Sequence, residues 1–117
     1  MNKIVYNACY GGFGLSDAAT EEYAKRKGIT LYKGECFAGT QEYYTSPNMS
    51  DESFYYPTYS RHDKDLVEIV EQLGDKASGS FAKLRVYETS CNRYAIDEYD
   101  GYESVIVDYD DRFIYIE

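Results

Sequence analysis

Residues 3–16 read KIVYNACYGGFGLS, and this stretch decides the fold of the N-terminal part of the chain. The β-branched and aromatic residues from Lys3 to Ala8 predict a strand, and the Gly-Gly-Phe-Gly sequence that follows predicts a tight turn. Ser16 is a favourable residue for a helix N-cap. The stretch therefore predicts a strand, a glycine-rich turn and a helix in direct succession.

The first helix is predicted to cover about residues 17–27, because acidic residues lie in its first half and basic residues at its end. Gly28 suits the position that follows a helix. A second short strand is then predicted over residues 29–32. If both strands belong to one sheet, they would be parallel and joined by a right-handed crossover.

Residues 33–60 have no clear periodicity and are rich in Tyr, Ser, Thr and Gly. Both prolines of the chain, Pro47 and Pro57, lie in this segment. A loop of such length is unusual in so small a domain. The segment is therefore predicted to be either a functional loop or a set of irregular added strands.

The second half of the chain predicts a helix followed by antiparallel strands. The apolar residues between positions 63 and 73 have the spacing of one helix face, and Gly74 ends the pattern. Strands are predicted from the alternating residues at 82–86, 94–97, 104–108 and 114–116. Asp100-Gly101 is a strong signal for a hairpin turn, and Asp110-Asp111 is a weaker one.

These elements together predict an α/β protein of the α+β type that forms a single domain over residues 1–117. It would contain an N-terminal strand-helix-strand unit, a second helix and a C-terminal antiparallel meander, with the two helices packed on one mixed sheet. A chain of 117 residues can bury about two-thirds of the surface that its unfolded form exposes, which is enough for one core.

The cysteines and the apolar segments indicate a cytoplasmic protein. Cys9, Cys36 and Cys91 are odd in number and widely spaced, which fits neither a disulfide framework nor a zinc site. No apolar run resembles a signal segment or approaches the length of a membrane span. We therefore expect free thiols, a reducing cytoplasm and no membrane association.

The charge and the tyrosine content predict a surface that binds another protein. The formal net charge of −9 argues against binding to nucleic acid or to an anionic membrane. Residues 88–117 hold nine of the 21 acidic residues but only two of the 12 basic ones. The chain also has 15 tyrosines and no tryptophan, and tyrosine is enriched at contact surfaces because it joins an apolar body to a polar tip.

The predicted partner-binding residues form two groups, and each group also has a plainer interpretation. They are Tyr43, Tyr44, Tyr55, Tyr56 and Tyr59 in the middle segment, and Asp97, Glu98, Asp100 and Glu103 in the C-terminal part. The tyrosines could equally form a lid that packs on one face of the sheet. The acidic residues could simply keep the surface soluble.

The glycine-rich turn is a candidate anion site, since its N–H groups and the start of a helix can converge on a phosphate or carboxylate. The predicted ligand-binding residues are Gly11, Gly12, Phe13, Gly14, Ser16 and Arg61. The turn lacks the lysine of a P-loop and the full Gly-x-Gly-x-x-Gly spacing of a dinucleotide fold. The alternative is a tight structural turn in which Phe13 and Leu15 fill the core.

No catalytic set can be assembled from the sequence. Cys9 precedes the turn as in a cysteine phosphatase, but Leu15 stands where such an enzyme needs an arginine. His62 is the single histidine, so it has no second histidine for a metal pair and no identifiable triad. We therefore expect no enzymatic activity, no metal and no cofactor.

Three blocks of the sequence resemble a family of small uncharacterised proteins of tailed phages and prophages. The blocks are Lys3-Ile4-Val5 with Cys9-Tyr10-Gly11-Gly12-Phe13-Gly14-Leu15-Ser16; Arg61, Asp63, Leu66-Val67, Val70-Glu71, Leu73-Gly74, Ala77, Gly79, Ala82, Leu84 and Val86; and residues 96–103. The chain departs from that pattern at Asn7-Ala8, where a basic residue is usual, and in the added tyrosines of its middle segment. The missing basic residue weakens the candidate anion site.

The resemblance implies a phage accessory protein, and two functions follow as expectations. The first is a non-enzymatic anti-defence inhibitor that binds a host protein, such as a CRISPR or restriction nuclease, in the host cytoplasm. The alternative is a binder or sponge for a small ligand, for example a nucleotide signal, built from the glycine-rich turn and Arg61. The sequence leaves open whether the chain forms a homodimer.

Overall fold

The computed structural model describes residues 1–37, 40–108 and 113–116. Within these residues the chain forms two α-helices, seven strands and two short 3₁₀ helices. In chain order they are β1 Asn2–Asn7, α1 Asp17–Arg26, β2 Tyr32–Phe37, β3 Thr40–Tyr44, a 3₁₀ helix Asp51–Ser53, α2 Lys64–Leu73, a 3₁₀ helix Gly74–Ala77, β4 Leu84–Thr89, β5 Arg93–Tyr99, β6 Tyr102–Ile106 and β7 Ile114–Tyr115. The predicted combination of α and β structure is confirmed.

The strands pair differently from the prediction of one mixed sheet. β1 pairs with β4, β2 pairs with β3, and β5 lies between β6 and β7. Each of these pairs is antiparallel. The parallel strand-helix-strand unit is therefore absent from the described residues, because β2 begins at Tyr32 and closes a hairpin with β3. A hairpin between neighbouring strands costs little loop entropy.

A second reason lies at the edge of β1 that faces away from β4. The Val5 N–H donates to the Arg61 carbonyl oxygen at 2.8 Å, and the Asn7 N–H donates to Glu103 Oε1 at 2.8 Å. These groups satisfy the backbone donors that a parallel neighbour of β1 would need. They also bring the segment before α2 and the strand β6 to the same edge.

Added strands, one of the two alternatives predicted for residues 33–60, are present in the structure. β2 and β3 form a hairpin, and the chain then returns along β3. Tyr44 and Phe54 form an antiparallel bridge, and the Tyr55 N–H donates to the Tyr43 carbonyl oxygen at 2.8 Å. The middle segment is thus a small sheet beside α1.

Both helices begin and end close to the predicted positions. Ser16 caps α1 by accepting a hydrogen bond from the Ala19 N–H, and Asp63 caps α2 by accepting from the N–H groups at the start of that helix. Gly28 and Gly74 follow the two helices with φ of 73° and 60°, a conformation that favours glycine. Among the described residues, no helix has the length and apolar character needed to cross a membrane.

The core lies between the two helices and one face of β1 and β4. Its buried residues are Val5, Ala19, Tyr23, Leu66, Val67, Ile69, Val70, Ala77 and Leu84. Arg26 joins the helices at the rim of this core, with its guanidinium 3.3 Å from Glu22 and 2.8 Å from Glu68. Burial of apolar side chains therefore holds the two helices together, and ion pairs lie at the rim of this contact.

The predicted hairpin at Asp100-Gly101 is confirmed. Tyr99 lies opposite Tyr102 at the end of the β5–β6 ladder, and Asp100 and Gly101 have φ of 54° and 89°. Positive φ at both central residues is the geometry that a two-residue hairpin turn requires. The weaker turn predicted at Asp110-Asp111 lies outside the described residues.

The glycine-rich turn approaches the rest of the chain most closely at Gly11. A Cβ atom at this position would lie 1.8 Å from the Phe81 carbonyl oxygen, whereas one at Gly14 would meet no atom within 4 Å. Gly11 is therefore required by a backbone contact, and Gly14 is not.

We expect Gly11→Ala to lower the free energy of unfolding by about 1–3 kcal/mol, because the added methyl group must displace the backbone at Phe81. Gly14→Ala is the matched control and should stay within about 0.5 kcal/mol of wild type. Urea denaturation followed by circular dichroism measures both. Equal stability of the two variants would contradict the close contact at Gly11.

Candidate functional site

Arg61, the key residue of the candidate anion site, is bound to a carboxylate of the chain itself. Its Nη1 and Nη2 atoms donate to Glu103 Oε1 at 2.6 Å and to Oε2 at 2.9 Å. The guanidinium lies over the Phe13 ring, with its central carbon 3.7 Å from the ring centroid. An arginine binds ligands through its fork of N–H donors and through the flat surface of its guanidinium. In this protein Glu103 already occupies the donors, and Phe13 covers the flat surface.

Glu103 is a structural residue and not a contact for a partner. Only 6 % of it is exposed, and its Oε1 also accepts the Asn7 N–H. The prediction that Glu103 binds a partner is therefore wrong. Its carboxylate reaches the edge of β1 at Asn7, and Tyr102, the preceding residue, points to the opposite face of β6.

The glycine-rich turn is also engaged within the chain. A Cβ atom at Gly101 would lie 2.7 Å from the Gly12 nitrogen, so the tip of the β5–β6 hairpin rests on the turn. The Gly14 carbonyl oxygen accepts the Gly79 N–H, and Ser16 Oγ donates to the Lys76 carbonyl oxygen at 2.6 Å. A small ligand at this turn would have to displace these contacts and the ion pair of Arg61.

We expect Arg61→Met to lower the free energy of unfolding by about 3 kcal/mol, because it leaves a buried carboxylate without its cation. The double variant Arg61→Met with Glu103→Gln should recover part of this loss, since the residues are directly coupled. Urea denaturation of the single and double variants measures the coupling. Stability of Arg61→Met within about 0.5 kcal/mol of wild type would show that the pair is not structural.

Most of the middle tyrosines are engaged within the fold, which favours a lid over a partner surface. Tyr43 is 4 % exposed, and Tyr59 packs on the core. The Tyr44 ring meets Phe54 edge to face at 5.5 Å. The Tyr55 hydroxyl is buried and has no hydrogen-bond partner among the described residues. Tyr43 and Tyr59 are thus poorly placed to contact a partner, whereas Tyr56 is 81 % exposed.

Two buried tyrosines donate to carboxylates, and this arrangement shifts their ionisation. Tyr23 donates to Asp63 Oδ2 at 2.8 Å, and Tyr43 donates to Glu21 Oε2 at 2.6 Å. Burial raises the pKa of Tyr23 and of Tyr43, and the hydrogen-bonded carboxylate raises each pKa further. Both hydroxyls remain protonated in the folded protein well above the pH at which an exposed tyrosine ionises.

The stability of the fold should therefore decrease in alkaline solution. Because the folded pKa values exceed the unfolded value of about 10, the stabilisation is complete below about pH 10 and is lost as the pH rises, by up to about 1.4 kcal/mol per pH unit for each tyrosine. The double variant Tyr23→Phe with Tyr43→Phe should show a shallower decrease. Urea denaturation between pH 8 and pH 11 measures the free energy of unfolding of both proteins. Because lysines titrate in both, the difference between the two pH profiles isolates the contribution of the two tyrosines. Parallel pH profiles would contradict the two shifts.

An exposed aromatic cluster lies at the tip of the β5–β6 hairpin. Tyr10, Tyr99 and Tyr102 are 67 %, 76 % and 40 % exposed, and the rings of Tyr10 and Tyr102 lie 5.2 Å apart. Asp97, on the same face of β5 as Tyr99, and Asp100, in the turn, are exposed, and Glu98 is exposed on the opposite face of β5. We call this set of six residues (Tyr10, Asp97, Glu98, Tyr99, Asp100 and Tyr102) the hairpin surface.

Sequence reasoning identified the acidic members of the hairpin surface but missed its tyrosines. The hairpin turn at Asp100-Gly101 was a sufficient signal for two of them, because residues that flank a two-residue turn lie opposite each other on one face. Tyr99 and Tyr102 are therefore neighbours by register. Tyr10 carries no such signal, since its position depends on the contact between Gly12 and Gly101.

Cys9 and His62 do not form a catalytic pair in the structure. Cys9 Sγ donates to the Phe81 carbonyl oxygen at 3.2 Å, and His62 Nδ1 lies 2.7 Å from the Tyr94 hydroxyl. In the part of the chain that the structure describes, His, Cys, Asp and Glu side chains form no group of three or more that could hold a metal ion. The described cysteines are free thiols.

Comparisons of the chain with protein-family models, with curated proteins and with solved structures found no match. Function is therefore inferred from the residues and their contacts. Of the residues predicted from the sequence, the acidic residues Asp97, Glu98 and Asp100 are exposed, whereas the glycine-rich turn and Arg61 make contacts within the fold.

Proposed function

We propose that this chain is a phage-encoded, non-enzymatic binding protein that inhibits a host defence factor, such as a CRISPR or restriction nuclease, in the host cytoplasm. The observation that carries the proposal is the hairpin surface, where one hairpin tip carries three exposed tyrosine rings and the exposed carboxylates of its strand and turn. Exposed aromatic clusters with a polar rim are typical of protein-binding surfaces.

The tyrosines would supply most of the binding energy. Tyrosine is enriched among the residues that dominate protein interfaces, because a large rigid ring is buried at low cost in conformational entropy. Tyr99 and Tyr102 project from one face of the hairpin, and Tyr10 extends that face through its contact with Tyr102. The three rings thus form one contiguous contact area.

The carboxylates would select the partner. Asp97, Glu98 and Asp100 lie within four residues of one strand and its turn, and the whole chain has a net charge of −9. A protein that binds DNA must present clustered Lys and Arg to the phosphates. Complementary charge accelerates encounter with such a surface and disfavours acidic partners, which supports a nuclease as the target.

The hairpin surface is held in place before binding. Glu98 Oε1 accepts the Gly101 N–H at 2.9 Å across the turn, and Glu103 anchors β6 to Arg61 and β1. A surface that is already ordered loses less entropy on association than a flexible loop does. This preorganisation supports inhibition by tight binding without any covalent chemistry.

The proposal is tested by adding the purified protein to DNA-cleavage reactions of a panel of CRISPR effector and restriction nucleases. We expect at least one nuclease to be inhibited at near-stoichiometric concentration. The double variant Tyr99→Ala with Tyr102→Ala should bind that nuclease at least about 30-fold more weakly, since truncating each of two anchor tyrosines costs about 1 kcal/mol or more. Calorimetry measures the affinity.

Tyr115→Ala is the matched control, because Tyr115 is 61 % exposed, between Tyr99 and Tyr102, and is not part of the hairpin surface. It should inhibit like the wild-type protein. Neutralising Asp97, Glu98 and Asp100 to Asn, Gln and Asn should slow association and reduce its dependence on salt. The proposal fails if the panel is not inhibited, or if the hairpin variant inhibits as well as the control.

A further inference from the structure

A cavity of about 450 Å³ lies between the start of α1, the strand β3 and residues 54–57. Its size is within the range of about 300–1,000 Å³ that is usual for small-molecule sites. It is separate from the hairpin surface and from the glycines of the N-terminal turn, since none of those residues lines it. The cavity is therefore a second candidate site near the expected anion site, and different side chains form it.

Aromatic rings form much of the wall of this cavity. Tyr43, Phe54, Tyr55 and Tyr56 all line it. Tyr43 is held by its hydrogen bond to Glu21, and Phe54 by its edge-to-face contact with Tyr44. Sites walled by several aromatic side chains recognise ammonium groups, because the negative face of each ring attracts a cation.

The charged residues that line the cavity are acidic. They are Asp17, at the first position of α1, and Glu42, on β3. No Lys or Arg among the described residues lines the cavity. Lys33, which lies 3.8 Å from Glu21, is outside the lining. A ligand in this cavity therefore meets negative charge and aromatic faces together.

We propose that this cavity binds an organic cation, an ammonium compound with an apolar body. The rings would contact the apolar body and the cationic head, and Asp17 and Glu42 would balance the positive charge. The proposal is independent of the proposed inhibitory function, because it concerns different residues.

The local field at the Tyr43 hydroxyl agrees with this chemistry. Burial, the hydrogen bond to Glu21 and the charge of Asp17 all raise the pKa of Tyr43. Burial is the largest cause and opposes a charge of either sign, so only the contributions of Glu21 and Asp17 bear on the ligand. These two carboxylates make the potential at this wall negative, which agrees with a bound cation.

The test is an NMR titration of the ¹⁵N-labelled full chain with three probes of one shape: choline, the neutral 3,3-dimethylbutan-1-ol and the anionic 3,3-dimethylbutanoate. We expect choline to shift the amides of residues 15–20, 41–44 and 54–56, with a Kd at least tenfold lower than that of the alcohol. The anion should bind more weakly still. This comparison needs no variant and so does not depend on folding.

Variants then test which residues recognise the positive charge of choline. Asp17→Asn with Glu42→Gln should weaken choline binding at least tenfold, and Tyr56→Ala should weaken it as well. Glu52→Gln is the matched control, because it removes one exposed charge from the neighbouring 3₁₀ helix without touching the lining. Tyr99→Ala is the corresponding control for loss of an exposed tyrosine, and both controls should bind choline like wild type.

Four results would overturn the proposal. They are absence of choline-induced shifts, equal affinity for choline and the neutral alcohol, shifts confined to other parts of the chain, and unchanged choline affinity in the Asp17 and Glu42 double variant. None of them changes the expected nuclease inhibition, because no residue of the hairpin surface lines the cavity. Failure of this proposal is therefore distinguishable from failure of the proposed inhibition.

Discussion

The buried carboxylate of Glu103 is the group on which the arrangement of the remaining elements depends. It accepts two hydrogen bonds from Arg61 and one from the Asn7 N–H, so it joins β6, the segment before α2 and the open edge of β1. Arg61 extends the same contact to Phe13 in the glycine-rich turn. A buried carboxylate that loses such partners costs about 3–5 kcal/mol. This cost favours one mutual placement of three parts of the chain that are distant in sequence: β6, the segment before α2, and β1 with the adjoining glycine-rich turn.

This constraint also separates the structural residues from the exposed ones. Because Glu103 faces inward, its neighbour Tyr102 faces outward and lies beside Tyr99 and Tyr10. The Arg61 guanidinium, which could have bound a phosphate, is bound to Glu103 instead. The glycine-rich turn supports the hairpin tip through Gly12 and Gly101. The chemistry that is left on the surface consists of tyrosine rings and carboxylates, which suits a basic protein partner better than an anionic ligand.

The parts of the fold that could be predicted are those governed by local signals. Ser16 and Asp63 cap the helices, and Asp100-Gly101 closes the hairpin, because each acts through its own backbone. The pairing of β1 with β4 could not be predicted, since it joins segments about eighty residues apart and depends on tertiary burial. The partner of Arg61 was hidden for the same reason, as nothing local distinguishes Glu103 from the exposed Glu98. In the middle segment, tyrosine composition alone could not distinguish a lid from a contact surface.

Amide hydrogen exchange at Asn7, read by NMR in the wild-type protein and in Glu103→Ala, tests most directly whether Glu103 holds these segments together. The Ala8 amide is the internal reference, because it donates to the Lys83 carbonyl oxygen and not to Glu103. Our account predicts that both amides are protected in the wild-type protein and that Asn7 loses far more protection than Ala8 in the variant. Unprotected Asn7 in the wild-type protein, or an equal change at both amides, would contradict it.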